Sequence, residues 1–468
     1  MRLRELSSGP VRRRLAAVVL LLVAIATVPT ATQTPTGGTN RAEHLDKPYV
    51  ILISLDGFRA DYLDLFQLPN LQRLMRRGTR AKSMIPVFPT LTFPNHYSLV
   101  TGLFPDRHGI VGNSFYDPAR RQKYSMDNAD AVRDGSWYSG EPIWVTAESQ
   151  GMVAACYFWP GSEAAIAGRR ATLVRPYDGK TPNATRVNGV LEWLALPAER
   201  RPHVITLYFN DVDSASHLGP LGHRRIEDAA RALDRALGQL LAGIDTLPIK
   251  DRVVMLVTSD HGMANTSRAQ SIPIESLVSL NGVVQTFVGP VSSLHVQDSD
   301  QARATRLRDE LNAKLKSGRA YLRADVPERY RYSTNQRAGD VIVVMDEGWT
   351  LRRSYDLRTV VRPRWGTHGW DPELDSMRAI FVAAGPGIRA GHVIDVVRNV
   401  DVYPMMTELL GLQSPAGLDG KSGHLRGQLE IPSRLGSDLN FRSQVGVRPP
   451  SQRENRDLTP RAAGRGGS

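Results

Sequence analysis

The segment YVILISLDG, Tyr49 to Gly57, decides the fold: an almost unbroken apolar run ends abruptly in an Asp-Gly pair. A strand with one face in water alternates apolar and polar residues. This one has no polar face, as expected of a strand in a parallel sheet covered by helices on both sides. The same signature recurs in HVITLYFNDVD (203–213), RVVMLVTSDHG (252–262) and RAIFVAAGPG (378–387), each leading into polar or glycine-rich residues. Helical periodicity fills gaps at 71–78, 227–244 and 400–412. Strands alternating with helices predict an α/β fold built on a doubly wound, mostly parallel sheet, with its site at the strands' carboxyl ends.

Outward from that core, the roughly 100 residues between His261 and His368 carry GVVQTFVG, SSLHVQD, a charged helical stretch and DVIVVMDEGW, which read as a smaller inserted α+β subdomain. The expected organisation is a signal peptide at 1–35, a spacer at 36–46, catalytic core at 47–262 and 366–440, the insert at 263–365, and a disordered basic tail at 441–468. Arginines ahead of a short apolar run and small residues give the N-terminus the layout of a secretory signal. That run is short for a membrane span, so the expected location is periplasmic or extracellular, with no integral membrane part beyond the signal or an uncleaved N-terminal anchor. Cys156 is the only cysteine, so no internal disulfide forms, and an exported chain must rely on its core and any bound metals. Of the formal charge of +12, four units lie in residues 1–39 and three in 444–468. The remainder suits a small anionic substrate and is too weak to predict a nucleic-acid-binding surface.

Three strand ends carry the chemistry: Asp56 closes the first, Asp213 follows another, and Asp260-His261 closes a third. His217 stands four residues after Asp213, which puts both on one face of a helix. His368 is flanked by glycines in GTHG, which let its backbone approach another element. Singly these are ordinary caps and core histidines; together they offer mixed N and O ligands that suit Zn²⁺, Mn²⁺ or Fe. Two such ions about 4 Å apart would clamp both oxygens of an in-line phosphoryl displacement. The stretch FPTLTFPNHYSLVTG, Phe88 to Gly102, then sets Thr90 and Thr92 before a helix. A threonine hydroxyl is a poor nucleophile unless a cation or base takes its proton, and the spacing alone leaves either threonine open for that role.

In the order SLDGFRADY, FPTLTFPNHYSLVTGLFPDRHGIVGN, EPIWVTAE, FWPGSE, DVDSASHLGP, TSDHGM, GTHGWDP and NVDVYPMMTELLGL, the chain resembles the nucleotide pyrophosphatase/phosphodiesterase family of the alkaline phosphatase superfamily. The resemblance implies Thr92 as nucleophile and Thr90 as its structural neighbour. It implies two Zn²⁺ per chain, one on Asp56, Thr92, Asp260 and His261, the other on Asp213, His217 and His368. Asn113 would donate to a phosphoryl oxygen, and Phe93 and Tyr208 would sandwich a nucleotide base. The implied reaction cleaves small-molecule nucleotide phosphodiester and α-phosphate bonds through a phospho-threonine intermediate, giving nucleoside 5′-monophosphates. A choline-lipid phosphodiesterase of lysophospholipase C type is the rival reading, because it uses the same catalytic set with a different pocket. A phosphomonoesterase fits less well, since Asn113 stands in place of a dianion-gripping arginine. A sulfatase would need Cys or Ser in a C/S-x-P-x-R context, and Cys156 sits in CYFWPG.

Overall fold

All seven residues of the strand Tyr49–Leu55 are buried, on both faces. In the computed structural model, which describes residues 38–421 apart from 360 and 361, together with Gly423 and Leu425, that strand lies inside an eight-stranded sheet. The sheet order is His392–Ile394, Gly78–Ala81, Phe381–Ala384, Val253–Thr258, Tyr49–Leu55, Val204–Phe209, Ala154–Tyr157 and Leu173–Arg175. Seven strands run one way, and Phe381–Ala384 runs against both its neighbours. The fold is therefore α/β with a mixed, mostly parallel sheet. The reversal has a local cause: the backbone of Met377 and Ser376 is bonded to Gly262 and Met263 just beyond the carboxyl end of Val253–Thr258. The chain thus enters Phe381–Ala384 from the site side, pairing Phe381 with Thr258. The expected signal peptide and basic tail lie outside the described residues.

The flanking helices form two sets, each packed internally. One holds Pro69–Arg77, Asn183–Leu194 and Arg224–Asp245, the other Thr92–Thr101, Ile143–Ser149 and Val402–Leu410. Pro69–Arg77 starts without a local side-chain cap. Its cap comes from another helix: buried Asp234 accepts from Leu71 N–H at 2.8 Å, Asn70 N–H at 3.2 Å and Asn70 Nδ2 at 2.9 Å. This satisfies the orphan donors of a helix end and clamps the two helices together.

A second, antiparallel sheet is ordered Val283–Phe287, Val291–Val296, Val341–Met345, Gly318–Leu322. With the helix Gln301–Lys314 it has its own apolar cluster, including Leu294, Leu307, Leu311, Val341 and Val343. The chain leaves and re-enters the main sheet through a short antiparallel pair, Ala264–Ser267 with Arg364–Thr367. Pairing Ala264 with Thr367 fixes the distance between His261, three residues before, and His368, one residue after. Among the described residues, no helix is long and apolar enough to cross a membrane.

Candidate active site

Three carboxylates meet at the carboxyl end of the central strands. Asp56 N–H is bonded to Phe209 O at 2.9 Å, Asp213 N–H to Asp56 O at 3.1 Å, and Gly57 N–H donates to Asp260 Oδ1 at 3.1 Å. Gly57 has φ +67°, and a Cβ there would stand 2.9 Å from Asp213 Cβ, so any larger residue would push the two loops apart. Asp213 and His217 share the helix Asp211–His217, with Nε2 and Oδ1 3.2 Å apart.

The imidazoles are held in one protonation pattern. His261 Nδ1 lies 2.8 Å from Gly262 O, His217 Nδ1 2.9 Å from Gly366 O, and His368 Nδ1 2.8 Å from Thr90 O. A carbonyl only accepts, so each Nδ1 carries the hydrogen and each Nε2 presents a lone pair unless doubly protonated. Those Nε2 atoms face carboxylate oxygens: His261 is 2.9 Å from Asp260 and 3.6 Å from Asp56, and His368 is 3.6 Å from Asp213. Among the described residues, Asp56 Oδ1, Asp213 Oδ1 and Asp260 Oδ2 are buried with no hydrogen-bond donor. Lone pairs aimed at lone pairs inside a protein repel unless a proton or a cation lies between them. The residues present therefore fit divalent metal ions, with the carbonyls of Gly262, Gly366 and Thr90 already orienting the histidines.

Titration behaviour follows the same logic. Burial, with the charges of Asp260 and Asp213, pushes Asp56 well above the usual carboxylate range. Burial also works against ionised Asp213, yet His217, His368 and His261 outweigh it and leave the group at about 2. Burial lowers His261 and His217, but Asp260 and Asp213 respectively overcome it and hold both above the ordinary imidazole value.

By distance, the compact donor sets are Asp213, His261 and His368, and Asp56, His96 and Asp260. The expected division placed His261 with Asp56; in the structure it sits between the two groups, its ring stacked on His368 at 3.6 Å. His96, absent from the expected set, approaches Asp260 at 3.4 Å. Its Nδ1 already donates to Thr92 O at 2.8 Å and its Nε2 takes the Ser54 hydroxyl at 2.8 Å, so it braces Thr92 and offers no lone pair to a metal.

Thr92 opens the helix Thr92–Thr101, and its Oγ1 is 3.4 Å from His261 Nε2. A helix N-terminus favours negative charge, which suits both a deprotonating hydroxyl and a phosphate. Thr90 is fully buried: its hydroxyl donates to Trp370 O at 3.0 Å and accepts from Gly369 N–H at 2.9 Å, while its carbonyl holds His368. It pins the loop of one imidazole. Asn113 Oδ1 accepts from Phe93 N–H at 2.9 Å, which leaves the Nδ2 end of its amide as the donor for a substrate oxygen. Cys156 is buried in the sheet, with burial pushing its thiol up to about 12, which removes it as a nucleophile.

A cavity of about 420 Å³ opens beside Thr92, lined by Phe93, Trp159, Tyr177, Tyr208, Glu163 and Arg133 among others. Tyr208 departs from the expected base platform. It is buried, its ring edge-on to His96 and Tyr177, and its hydroxyl donates to Asp56 Oδ2 at 2.5 Å. Among the aromatic residues that line the cavity with Phe93, Tyr177 is half exposed. Behind the lining, buried Arg186 donates to Tyr208 O at 3.0 Å and Asn210 Oδ1 at 3.2 Å, holding both in place. Neither Tyr177 in RPYDGK nor Arg186 lies in a stretch whose spacing announces a site.

A family model described as type I phosphodiesterase / nucleotide pyrophosphatase matches residues 50–371. Venom phosphodiesterase CdcPDE of Crotalus durissus collilineatus is 36% identical over 413 residues, covering 86% of this chain and 48% of the venom protein. Human ectonucleotide pyrophosphatase/phosphodiesterase family member 1 is 36% identical over 400 residues, covering 83% of this chain and 42% of its own. The chain thus spans about half the length of the curated relatives it matches. Among solved structures, murine ectonucleotide pyrophosphatase/phosphodiesterase 5, as an inactive variant in complex with AMP, superposes with a TM-score of 0.76 at 27% identity, covering 82% of this chain and all of that one.

Proposed function

The chain belongs to the type I phosphodiesterase / nucleotide pyrophosphatase family, and from that premise we propose that it is an exported hydrolase of nucleotide phosphodiester and α-phosphate bonds, releasing nucleoside 5′-monophosphates. One observation carries the reading: three buried carboxylate oxygens without donors face imidazole Nε2 atoms, one of which, on His261, lies 3.4 Å from the hydroxyl of Thr92 at a helix N-terminus. Two Zn²⁺ ions are the proposed cofactors, held by Asp56, Thr92, Asp260 and His261 and by Asp213, His217 and His368. When bound they supply positive charge that acidifies a hydroxyl and stabilises phosphoryl oxygens.

The chain's own groups account for the rest. Thr92 Oγ attacks phosphorus in line, forming a threonine–phosphate ester as the bond to the leaving alcohol or phosphate breaks. Asn113 Nδ2 donates to a non-bridging oxygen, an interaction worth about 3 kcal/mol when its strength grows in the transition state. Water then attacks from the face the leaving group vacated, breaking the Thr92 ester and restoring the hydroxyl. His96 and Asn113, by holding Thr92 O and Phe93 N–H, keep the nucleophile's backbone still meanwhile. The base lies against Phe93, with Tyr177 as the opposing ring. Stacking selects a flat π face and tolerates any base.

The test is a comparison of kcat/KM on p-nitrophenyl-TMP, ATP and lysophosphatidylcholine, with zinc content measured on the same sample. Nucleotide substrates favoured, about two zinc ions per chain and loss of activity with EDTA are expected. Preference for the lipid would replace the nucleotide reading with the choline-lipid one. Full activity with one metal or none would remove the two-ion site.

A further inference from the structure

We propose that the arginine-lined groove beside His217 binds the departing half of the substrate, so that the chain favours nucleotides whose leaving group carries several phosphate charges. This rests on the function proposed above. An in-line attack by Thr92 sends the leaving oxygen to the far side of phosphorus, toward Asp213, His217 and His368. The base-side cavity reaches Thr92, Asp56 and Asp213 but includes neither His217 nor His368. On the other side, His217 keeps 39% of its side chain exposed, and the chain next to it forms a groove of about 940 Å³. The groove's floor is continuous with the metal site, since Gly366 N–H is bonded to Gly219 O at 3.0 Å and Gly366 O holds His217 Nδ1.

The groove is lined by Arg225, Arg268, Arg362 and Arg364, and no acidic residue lines it. Arg225 lies over Gly219, its Nη1 2.8 Å from where a Cβ would stand, so the glycine makes room for the guanidinium. Among the described residues, Arg225, Arg362 and Arg364 have no ion-pair partner. By contrast Arg73 and Arg77 pair with Asp245, Arg80 with Asp64, and Arg231 with Glu227. Arginines gathered in one groove repel one another and attract a polyanion. The base-side cavity has the opposite balance, with Asp127 and Glu163 beside Arg133. The two ends therefore orient a nucleoside triphosphate one way, base toward Phe93 and phosphate chain toward the arginines. Guanidinium groups match phosphate oxygens in bidentate geometry.

The experiment uses the full chain with Arg225→Gln, Arg362→Gln and Arg364→Gln combined, and Arg364→Gln alone. ATP, whose leaving group is pyrophosphate, is compared with p-nitrophenyl-TMP, whose leaving group is an aryl oxide. For the triple variant, kcat/KM on ATP should fall about tenfold or more, chiefly through KM, and for the single variant about threefold. On p-nitrophenyl-TMP it should move less than about twofold, which also reports that the variants fold. The rise of KM for ATP with added NaCl should flatten in the triple variant. A short oligonucleotide separates two sources of the same chemistry: a loss confined to ATP assigns the groove to a terminal phosphate chain, a shared loss to a phosphodiester backbone, and either supports it. Unchanged ATP kinetics, or equal losses on both small substrates, would overturn the proposal while leaving the hydrolase reading in place. A wild type inert on every nucleotide would overturn that reading and this one with it.

Discussion

Replacing Tyr208 with Phe tests which role its position in the cavity serves. The hydroxyl donates to Asp56 Oδ2 at 2.5 Å, and the residue is 7% exposed. A hydrogen bond to a charged group contributes about 1.5–3 kcal/mol, equivalent to roughly 10- to 150-fold. Tyr208→Phe removes that bond and keeps the ring, so its edge contacts to His96 and Tyr177, at 5.1 and 6.0 Å, survive. If the hydroxyl positions Asp56, kcat on p-nitrophenyl-TMP should fall by about one to two orders of magnitude with KM little changed. Zinc affinity should fall about tenfold, as when an outer-shell partner of a ligand is lost. Tyr208 also counteracts the upward push that burial, Asp260 and Asp213 exert on Asp56. Without it Asp56 keeps its proton to higher pH, and the acid limb of the pH profile should move up. Steady-state kinetics across pH and a zinc titration would read all three. Wild-type kcat and metal affinity with a raised KM would show that Tyr208 serves the base after all and would refute the anchoring role.

Three further outcomes follow from the geometry. Thr92→Ala should lower diester hydrolysis by about three orders of magnitude or more with the fold and metal content retained, and acid quenching should trap no phosphothreonine. Full activity would move attack elsewhere. Asp234→Ala should cost about 1–3 kcal/mol of stability by unsatisfying the start of Pro69–Arg77, lowering Tm without touching kcat; an unchanged melt would show that water replaces the cap. In metal-stripped protein, His261 and His217 are held above 6.5 by Asp260 and Asp213 against burial, so their contribution is complete below pH 6.5 and fades as pH rises through the raised values. Asp213, at about 2 against an ordinary 3.8, contributes above that ordinary value and loses it as pH falls toward 2. The Tm of EDTA-treated chain should therefore drop above about pH 6.5, and zinc should abolish that drop; parallel curves with and without zinc would contradict the shared site.

What the sequence disclosed was whatever is encoded by contiguous pattern. Apolar runs located Tyr49–Leu55, Val204–Phe209, Val253–Thr258 and Phe381–Ala384, and the residues at their ends proved to be neighbours. Direction was not so encoded: a buried run reads the same either way, and only the subdomain's return path reverses Phe381–Ala384. Short strands such as Leu173–Arg175 have too few residues for a period to register. Side-chain roles were hidden wherever they depend on a partner far along the chain. Asp234 capping Leu71, Tyr208 gripping Asp56 and His96 bracing Thr92 join residues 163, 152 and 4 positions apart, the last concealed inside a motif rather than by distance.

The strand Gly78–Ala81 is bonded in the sheet only to Phe381–Ala384 and His392–Ile394 among the described residues. Ribosomal synthesis therefore exposes it some 300 residues before any neighbour exists, with its amide edge unpaired in the nascent chain. Such long-range closure is slow and leaves an aggregation-prone edge in the meantime. A chain truncated before Phe381 would carry all seven of the proposed metal ligands and still leave Gly78–Ala81 without a sheet partner. Pairing of Gly78–Ala81 therefore waits until synthesis has passed Phe381–Ala384.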